Sequence, residues 1–219
     1  MIKAVIFDMD GLMVDTEFLH SEAHSAVIRK YGKKPKKHSS GVVHIVGKSI
    51  LENSEIMRQQ YGISESAENM EIEKGKAYLS LLKDKKIQPK IGLKNLIKLL
   101  KKNNIKMAIG SAGIKSGILL IIENLNIEDH FSVVISLDDV NKPKPAPDIF
   151  LEAASRLGVN PQDCLVLEDS QVGIEAAKNA GMKSIAIPSK YTIHQDFSKA
   201  TMVMDSLKDV NWSTILDIC

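Results

Sequence analysis

At 219 residues the chain has room for one ordinary domain carrying a substantial insertion, or for two small domains around separate cores. With 44% hydrophobic and 26% charged residues it has the composition of a folded globular protein, which excludes disorder. The formal net charge is only +2, and arginine occurs only at Arg29, Arg58 and Arg156, so neither a strong field nor a supply of forked donors favours nucleic acid as a partner.

The longest strictly apolar run, Ile118 to Ile122, is far short of the roughly 20 residues that span a bilayer, so no membrane helix is expected. Only Ala4–Phe7 separates Lys3 from Asp8, too little for a secretory leader, and the expected location is cytoplasmic. Cys164 and Cys219 share no metal-ligand spacing and make no disulfide framework; both are expected as reduced thiols. The chain is expected to act as a monomer on a small molecule.

The first element is an apolar strand, "AVIF" at residues 4–7, which runs into "DMDGLMVD" with carboxylates at Asp8, Asp10 and Asp15. Paired carboxylates ending a buried strand repel, and burying one unpaired costs several kcal/mol or shifts its pKa, so this arrangement needs a reason. Residues 16 to 88 follow as a block without a strand. Helical stretches are expected at roughly 16 to 31, 49 to 61 and 64 to 84, capped by Thr16, Ser49 and Ser64 and stopped by Gly32 and Gly62. About 70 residues between two strands are too many for a loop and indicate a small helical cap domain. The basic run Lys33–Lys37 within it is a solvated loop after the first helix.

Beyond residue 89 the pattern changes. Four short apolar runs, at 107 to 111, 133 to 136, 165 to 169 and 184 to 188, alternate with amphipathic helices, one striped by Leu93, Leu96, Ile97 and Leu100 and another at Ile174 to Ala180 stopped by Gly181. Near-continuous apolar strands separated by helices predict an α/β fold with a doubly wound, mostly parallel, Rossmann-like sheet. Its domain would comprise residues 1–15 and 89–219, with 16–88 inserted.

In such sheets ligands bind at the carboxyl ends of the strands, near the switch in strand order. The polar residues just past the strands should therefore converge: Asp8 and Asp10, then Ser111, Lys144, and Glu168 with Asp169. Four carboxylates against one ammonium sum to −3 in the fully ionised limit, an excess that demands a cation. Hard oxygen ligands that leave room for water and a phosphate suit Mg²⁺. Taken singly, an Asp pair before Gly is a turn, Ser111 a cap and Lys144 a loop residue; their order at successive strand ends makes the joint reading the stronger one. A calcium loop is excluded, because its pattern would place ligands and glycine on Leu12, Met13 and Leu19.

These motifs closely resemble those of the haloacid dehalogenase-like hydrolase superfamily, in the branch with a helical cap near β-phosphoglucomutases and small-metabolite phosphatases. The resemblance runs end to end: "DMDGLMVD", Ser111 in "AIGSAG", Lys144 in "KPAPDIF", and "LEDSQVGIEAAKNAG" with Glu168 and Asp169. It implies that Asp8 is the nucleophile that becomes an aspartyl-phosphate and that Asp10 is the acid and base. Ser111, the backbone N–H of Ala112 and Lys144 would hold the phosphoryl oxygens. Mg²⁺ would be held by Asp8, the backbone oxygen of Asp10, Asp169 and Glu168, the last directly or through water.

The implied activity is a Mg²⁺-dependent phosphatase of sugar or polyol phosphates. The nearest rival is a phosphomutase, and a binding-only relative or a dehalogenase fits less well. The cap's substrate loop is expected at Gly47 and Lys48; where β-phosphoglucomutases place a phosphate-gripping Arg, this chain has Ile50. Asp15 and Thr16 fall at the cap hinge. His20 matches a cap histidine of mutases and some phosphatases, and equally an ordinary helix-surface histidine.

Overall fold

The structure, a computed structural model, describes residues 1–218; Cys219, expected as a reduced thiol, lies outside them. In chain order the regular elements are β1 (Ala4–Phe7), α1 (Glu17–Lys30), α2 (Ile50–Tyr61), α3 (Ala67–Asp84), α4 (Leu93–Lys102), β2 (Lys106–Gly110), α5 (Lys115–Leu125) and β3 (Val133–Ile135). They continue with α6 (Asp148–Leu157), β4 (Cys164–Glu168), α7 (Gln171–Asn179), β5 (Lys183–Ala186), β6 (Met202–Val203) and α8 (Trp212–Asp217). Backbone contacts divide the chain into two compact units, Met1–Asp15 with the residues from Gln88 onward, and Thr16–Ile87.

In the first unit six parallel strands form one sheet in the order β3-β2-β1-β4-β5-β6. The chain builds outward from β1 through β2 to β3 and then returns to lay β4 on the other side of β1. The switch in strand order therefore falls between β1 and β4, where the crevice of a doubly wound sheet opens. All residues of β1 and β4 are buried, which is why these strands are apolar throughout and do not alternate. One core layer joins Ala4, Ile6, Ala108, Val166 and the inward faces of α6 and α7 around Phe150. On the opposite face Phe7 meets Phe131 edge to face at 5.6 Å.

Phe7 pairs in register with both Ile109 and Leu167, so the three central strands end level with one another. The unit boundary falls before Gln88, one residue earlier than expected, because the returning chain rejoins the first unit at once: Pro89 bridges Val14 and Lys90 N–H donates to the Met13 carbonyl at 2.8 Å. β6 was not anticipated; two residues at a sheet edge carry no period that a sequence could show.

The second unit is helical. Its small apolar core gathers Val27, Ile28, Val43, Met57, Ile63 and Met70. Ser49 caps α2 through a full capping box with Glu52, and Gly62 ends it in the left-handed conformation. One cap assignment is corrected. α3 begins after Ser66, whose hydroxyl accepts from Asn69 N–H at 3.2 Å, not after Ser64. Thr16 occupies the N-cap of α1 but makes no side-chain capping bond to it. Lys33, Lys34, Lys36 and Lys37 are all exposed in a loop. Among the described residues no helix is long and apolar enough to cross a membrane.

Candidate active site

Because β1, β2 and β4 end level, the residues that follow them share one rim of the sheet. Asp8 N–H still donates to the Leu167 carbonyl at 3.0 Å, so the Asp8 side chain leaves the sheet at the mouth of the crevice. Glu168 is the last residue of β4 and Asp169 the next. Carboxylate oxygens of Asp8, Glu168 and Asp169 lie within 4.8 Å of one another, and all three residues are buried.

Lys144 enters this cluster from the segment before α6. Its ammonium donates to Asp8 Oδ1 at 2.6 Å and to Glu168 Oε1 at 2.8 Å, and it stands 4.7 Å from the centre of the Phe150 ring. Its side chain is only 6% exposed, so these pairs act in a poorly screened environment. Burial alone would favour the neutral amine, but the facing carboxylates of Asp8 and Glu168 hold its proton more firmly than in an ordinary lysine. Burial pushes the Asp8 carboxyl up to about 8; Glu168 and Asp10 add to that rise and Lys144 opposes it. One ammonium is too little positive charge for this group of acids.

Two glycines make the packing of these acids possible. Gly11 has φ +88°, and a Cβ there would fall 2.1 Å from Asp169 Oδ2. A Cβ on Gly173, in the first turn of α7, would fall 1.7 Å from Glu168 Oε1. Ser170 caps that helix by accepting from Gly173 N–H, while its own N–H and hydroxyl donate to Glu168 Oε2 at 2.7 and 2.9 Å. Glu168 is thereby fixed at both oxygens. Asp169 Oδ2 accepts from the Thr192 hydroxyl at 3.3 Å.

Asp10 is half-buried and its side chain is not part of the three-carboxylate group. Its Oδ2 and the Ser111 hydroxyl both lie against Gly113, 3.6 and 3.3 Å from where a Cβ would be. Ser111 is buried; its N–H donates to the Ile135 carbonyl and its Oγ accepts from Gly113 N–H at 3.0 Å. Ala112 between them is exposed. Gly47 and Lys48 belong to the other unit, where Lys48 pairs with Glu52 at 3.4 Å. Asp15 pairs with Lys190 at 3.1 Å. Ser170 was legible as a Ser-x-x-Gly cap in "DSQVG"; Thr192 lies far along the chain from the acids and carries no such signal.

The donor set suits a hard divalent cation: buried carboxylate oxygens converge, no sulfur or imidazole is among them, and glycines replace the side chains that would crowd them.

The family described as haloacid dehalogenase-like hydrolase matches residues 5–187. A phosphorylated carbohydrates phosphatase of Thermotoga maritima is 34% identical over 188 residues, which cover 84% of this chain and 84% of that protein. The bifunctional riboflavin kinase/FMN phosphatase of Arabidopsis thaliana is 33% identical over 209 residues; these are 95% of this chain but 54% of that protein, so the chain spans about half that relative's length. The crystal structure of a β-phosphoglucomutase from Clostridium difficile superposes with a TM-score of 0.82 at 30% identity, covering 100% of this chain and 97% of that one. The chain belongs to the haloacid dehalogenase-like hydrolases, and within them it is a phosphoric monoester hydrolase.

Proposed function

We propose that this enzyme is a Mg²⁺-dependent phosphatase of small phosphorylated metabolites, sugar or polyol phosphates, that works through an aspartyl-phosphate on Asp8. The observation that carries the reading is the buried Asp8 carboxylate held 2.6 Å from the Lys144 ammonium at the strand switch point, within the three-carboxylate group.

Asp8, Asp169 and the Asp10 backbone oxygen would hold the cation, with Glu168 behind them. Bound there, Mg²⁺ supplies the positive charge that keeps Asp8 ionised and screens a dianionic phosphoryl group. Asp8 Oδ attacks phosphorus, and Asp10 gives its proton to the leaving oxygen. Asp10 then takes a proton from the water that opens the acyl-phosphate, so its carboxyl returns to its starting state. Lys144, the Ser111 hydroxyl and the Ala112 N–H face the equatorial oxygens, where fixed charge lowers the barrier without reorganisation. Glu168, tied to both Lys144 and Ser170, holds the ammonium in place for that task.

The helical unit would act as the cap that excludes water, with Asp15 and Thr16 at its hinge and Gly47 and Lys48 toward the substrate. A phosphomutase is the second reading, favoured by the likeness to β-phosphoglucomutase. Ile50 argues against it, since an apolar side chain cannot grip the distal phosphate of a bisphosphate intermediate, and Lys48 offers a point charge without a fork. The test is phosphate release from a panel of phosphorylated metabolites with Mg²⁺ and with EDTA, run beside β-glucose 1-phosphate primed with a bisphosphate. Net phosphate release that needs Mg²⁺ is expected. Glucose 6-phosphate forming much faster than phosphate would establish the mutase instead.

A further inference from the structure

We propose that Thr192 is the positioning residue that sets the Asp169 carboxylate for the divalent cation, and that its hydroxyl is part of the enzyme's metal affinity. The inference rests on the Mg²⁺ reading above. Thr192 is fully buried in the segment that follows β5, and its role emerges from counting protons. Thr192 Oγ1 accepts from Ser189 N–H at 2.9 Å and lies 3.0 Å from the Ser189 hydroxyl, which is itself buried. Either hydroxyl of the Ser189–Thr192 pair can donate to the other, but an ionised Asp169 can only accept, so with Ser189 donating, the single Thr192 proton goes to Asp169 Oδ2 at 3.3 Å. The alternative acceptor, the Ser189 carbonyl, lies farther off at 3.5 Å.

The hydroxyl sits on a braced segment. Thr192 N–H and Ile193 N–H both return to the Ser189 carbonyl, at 3.1 and 3.0 Å. Gln195 donates its N–H to the Thr192 carbonyl, and its side-chain oxygen accepts from Gln171 N–H at the start of α7, which also carries the Glu168 clamp. Asp169 Oδ2 is thus held between the bare Cα of Gly11 and a donor that cannot drift. A hydrogen bond of this kind favours the ionised carboxylate and fixes its rotamer before the ion arrives. Partners standing behind metal-binding carboxylates change affinity by about 10- to 100-fold when removed.

The experiment measures Mg²⁺ dissociation constants by titration calorimetry on the full chain, beside melting temperatures in EDTA. Thr192→Val keeps the branched shape and loses the donor, and it should weaken Mg²⁺ binding about 10-fold or more. Thr192→Ser keeps the hydroxyl and should bind close to wild type. Ser189→Ala removes one of the two groups that turn the Thr192 hydroxyl but leaves the donor and the Ser189 N–H in place, so it should lower the melting temperature and weaken Mg²⁺ binding clearly less than Thr192→Val does. If Thr192→Val does not fold, Thr192→Cys carries the test, its weak thiol donor giving the same loss. Wild-type affinity in the Val or Cys variant, or equal weakening in Ser189→Ala, would overturn the inference while leaving the Mg²⁺ reading standing; a wild-type protein that binds no Mg²⁺ would overturn both.

Discussion

The strand-based unit and the helical unit both bury ionisable groups, and they err on opposite sides of neutrality. At the strand ends Asp8 and Glu168 share one ammonium with the Asp169 carboxylate close by, and burial raises the Asp8 carboxyl to about 8. Between the helices the surplus is basic: His24 is held well below the ordinary histidine value by burial, with Lys74, His44 and His20 adding to the effect. The helical surplus is contained by its own chain. His44 Nε2 lies 2.6 Å from Glu17, and the buried Lys74 ammonium lies 2.6 Å from His20 Nδ1. The acidic surplus sits at the one place in a parallel sheet where an outside charge can enter, and so reads as a site; the basic one reads as packing.

The sharpest break of this comparison is Asp8→Asn. The amide keeps the size and an oxygen for Lys144 but cannot attack phosphorus, so turnover should fall by roughly 10⁴-fold or more. Replacing a carboxyl that burial already disfavours should leave the melting temperature in EDTA unchanged or higher. Undiminished phosphate release from this variant would refute the assignment of Asp8.

Next in size is Gly173→Ala. In most helices this exchange stabilises by up to about 1 kcal/mol. Here the new methyl would meet Glu168 Oε1 and push it off Lys144, so kcat/KM should drop roughly 10- to 100-fold. Steady-state kinetics and melting curves on the same preparation would show whether activity falls regardless of what stability does.

The opposite surpluses also predict opposite pH slopes. Asp8 has a folded pKa above its unfolded value of 3.8, so the stability it contributes is complete below that value and is lost as pH rises toward about 8. His24 has a folded pKa below its unfolded 6.5, so its contribution is complete above 6.5 and is lost as pH falls. In EDTA, hydrogen-exchange protection factors, which already allow for the slower intrinsic exchange at low pH, should therefore fall in α1 and α3 on going from pH 7.5 to 5 and rise in β1 and β4. Mg²⁺ should erase the trend in the strands only, and Asp8→Asn should erase it without metal. Identical slopes in both units would sink the contrast.

How much of this was legible follows from the same physics. The central strands were, because a parallel strand covered on both faces has to be apolar throughout, as "AVIF" and "LVLE" are. The site acids were, because they interrupt those runs at their ends. Thr192 was not: its partner lies across β5 and nothing local sets it apart from any threonine in a turn. Nor were the buried His24 and Lys74, since helical spacing places residues on a face without saying whether that face is covered.

The smallest effect concerns the one helix start placed wrongly. In "GISESAEN" Ser64 and Ser66 both precede a helical pattern, and spacing alone does not choose between them. The structure chooses Ser66, with extended backbone at φ −71° and ψ 153° and its hydroxyl on Asn69 N–H; Glu65 accepts from Ser66 N–H at 3.0 Å and from the Asn69 side chain at 2.9 Å, so the turn is closed from both sides. Ser66→Ala should then cost about 1 kcal/mol, the usual worth of a cap, whereas Ser64→Ala should change stability by no more than a few tenths. Because α3 packs against α1 and α2 and supplies Met70 to the helical core, the loss should appear as faster exchange throughout residues 16–87. Protection of β1 and β4 should not change. Equal costs for the two serines, or loss of protection in the strands, would mean that the helix begins elsewhere or that the two units do not open independently.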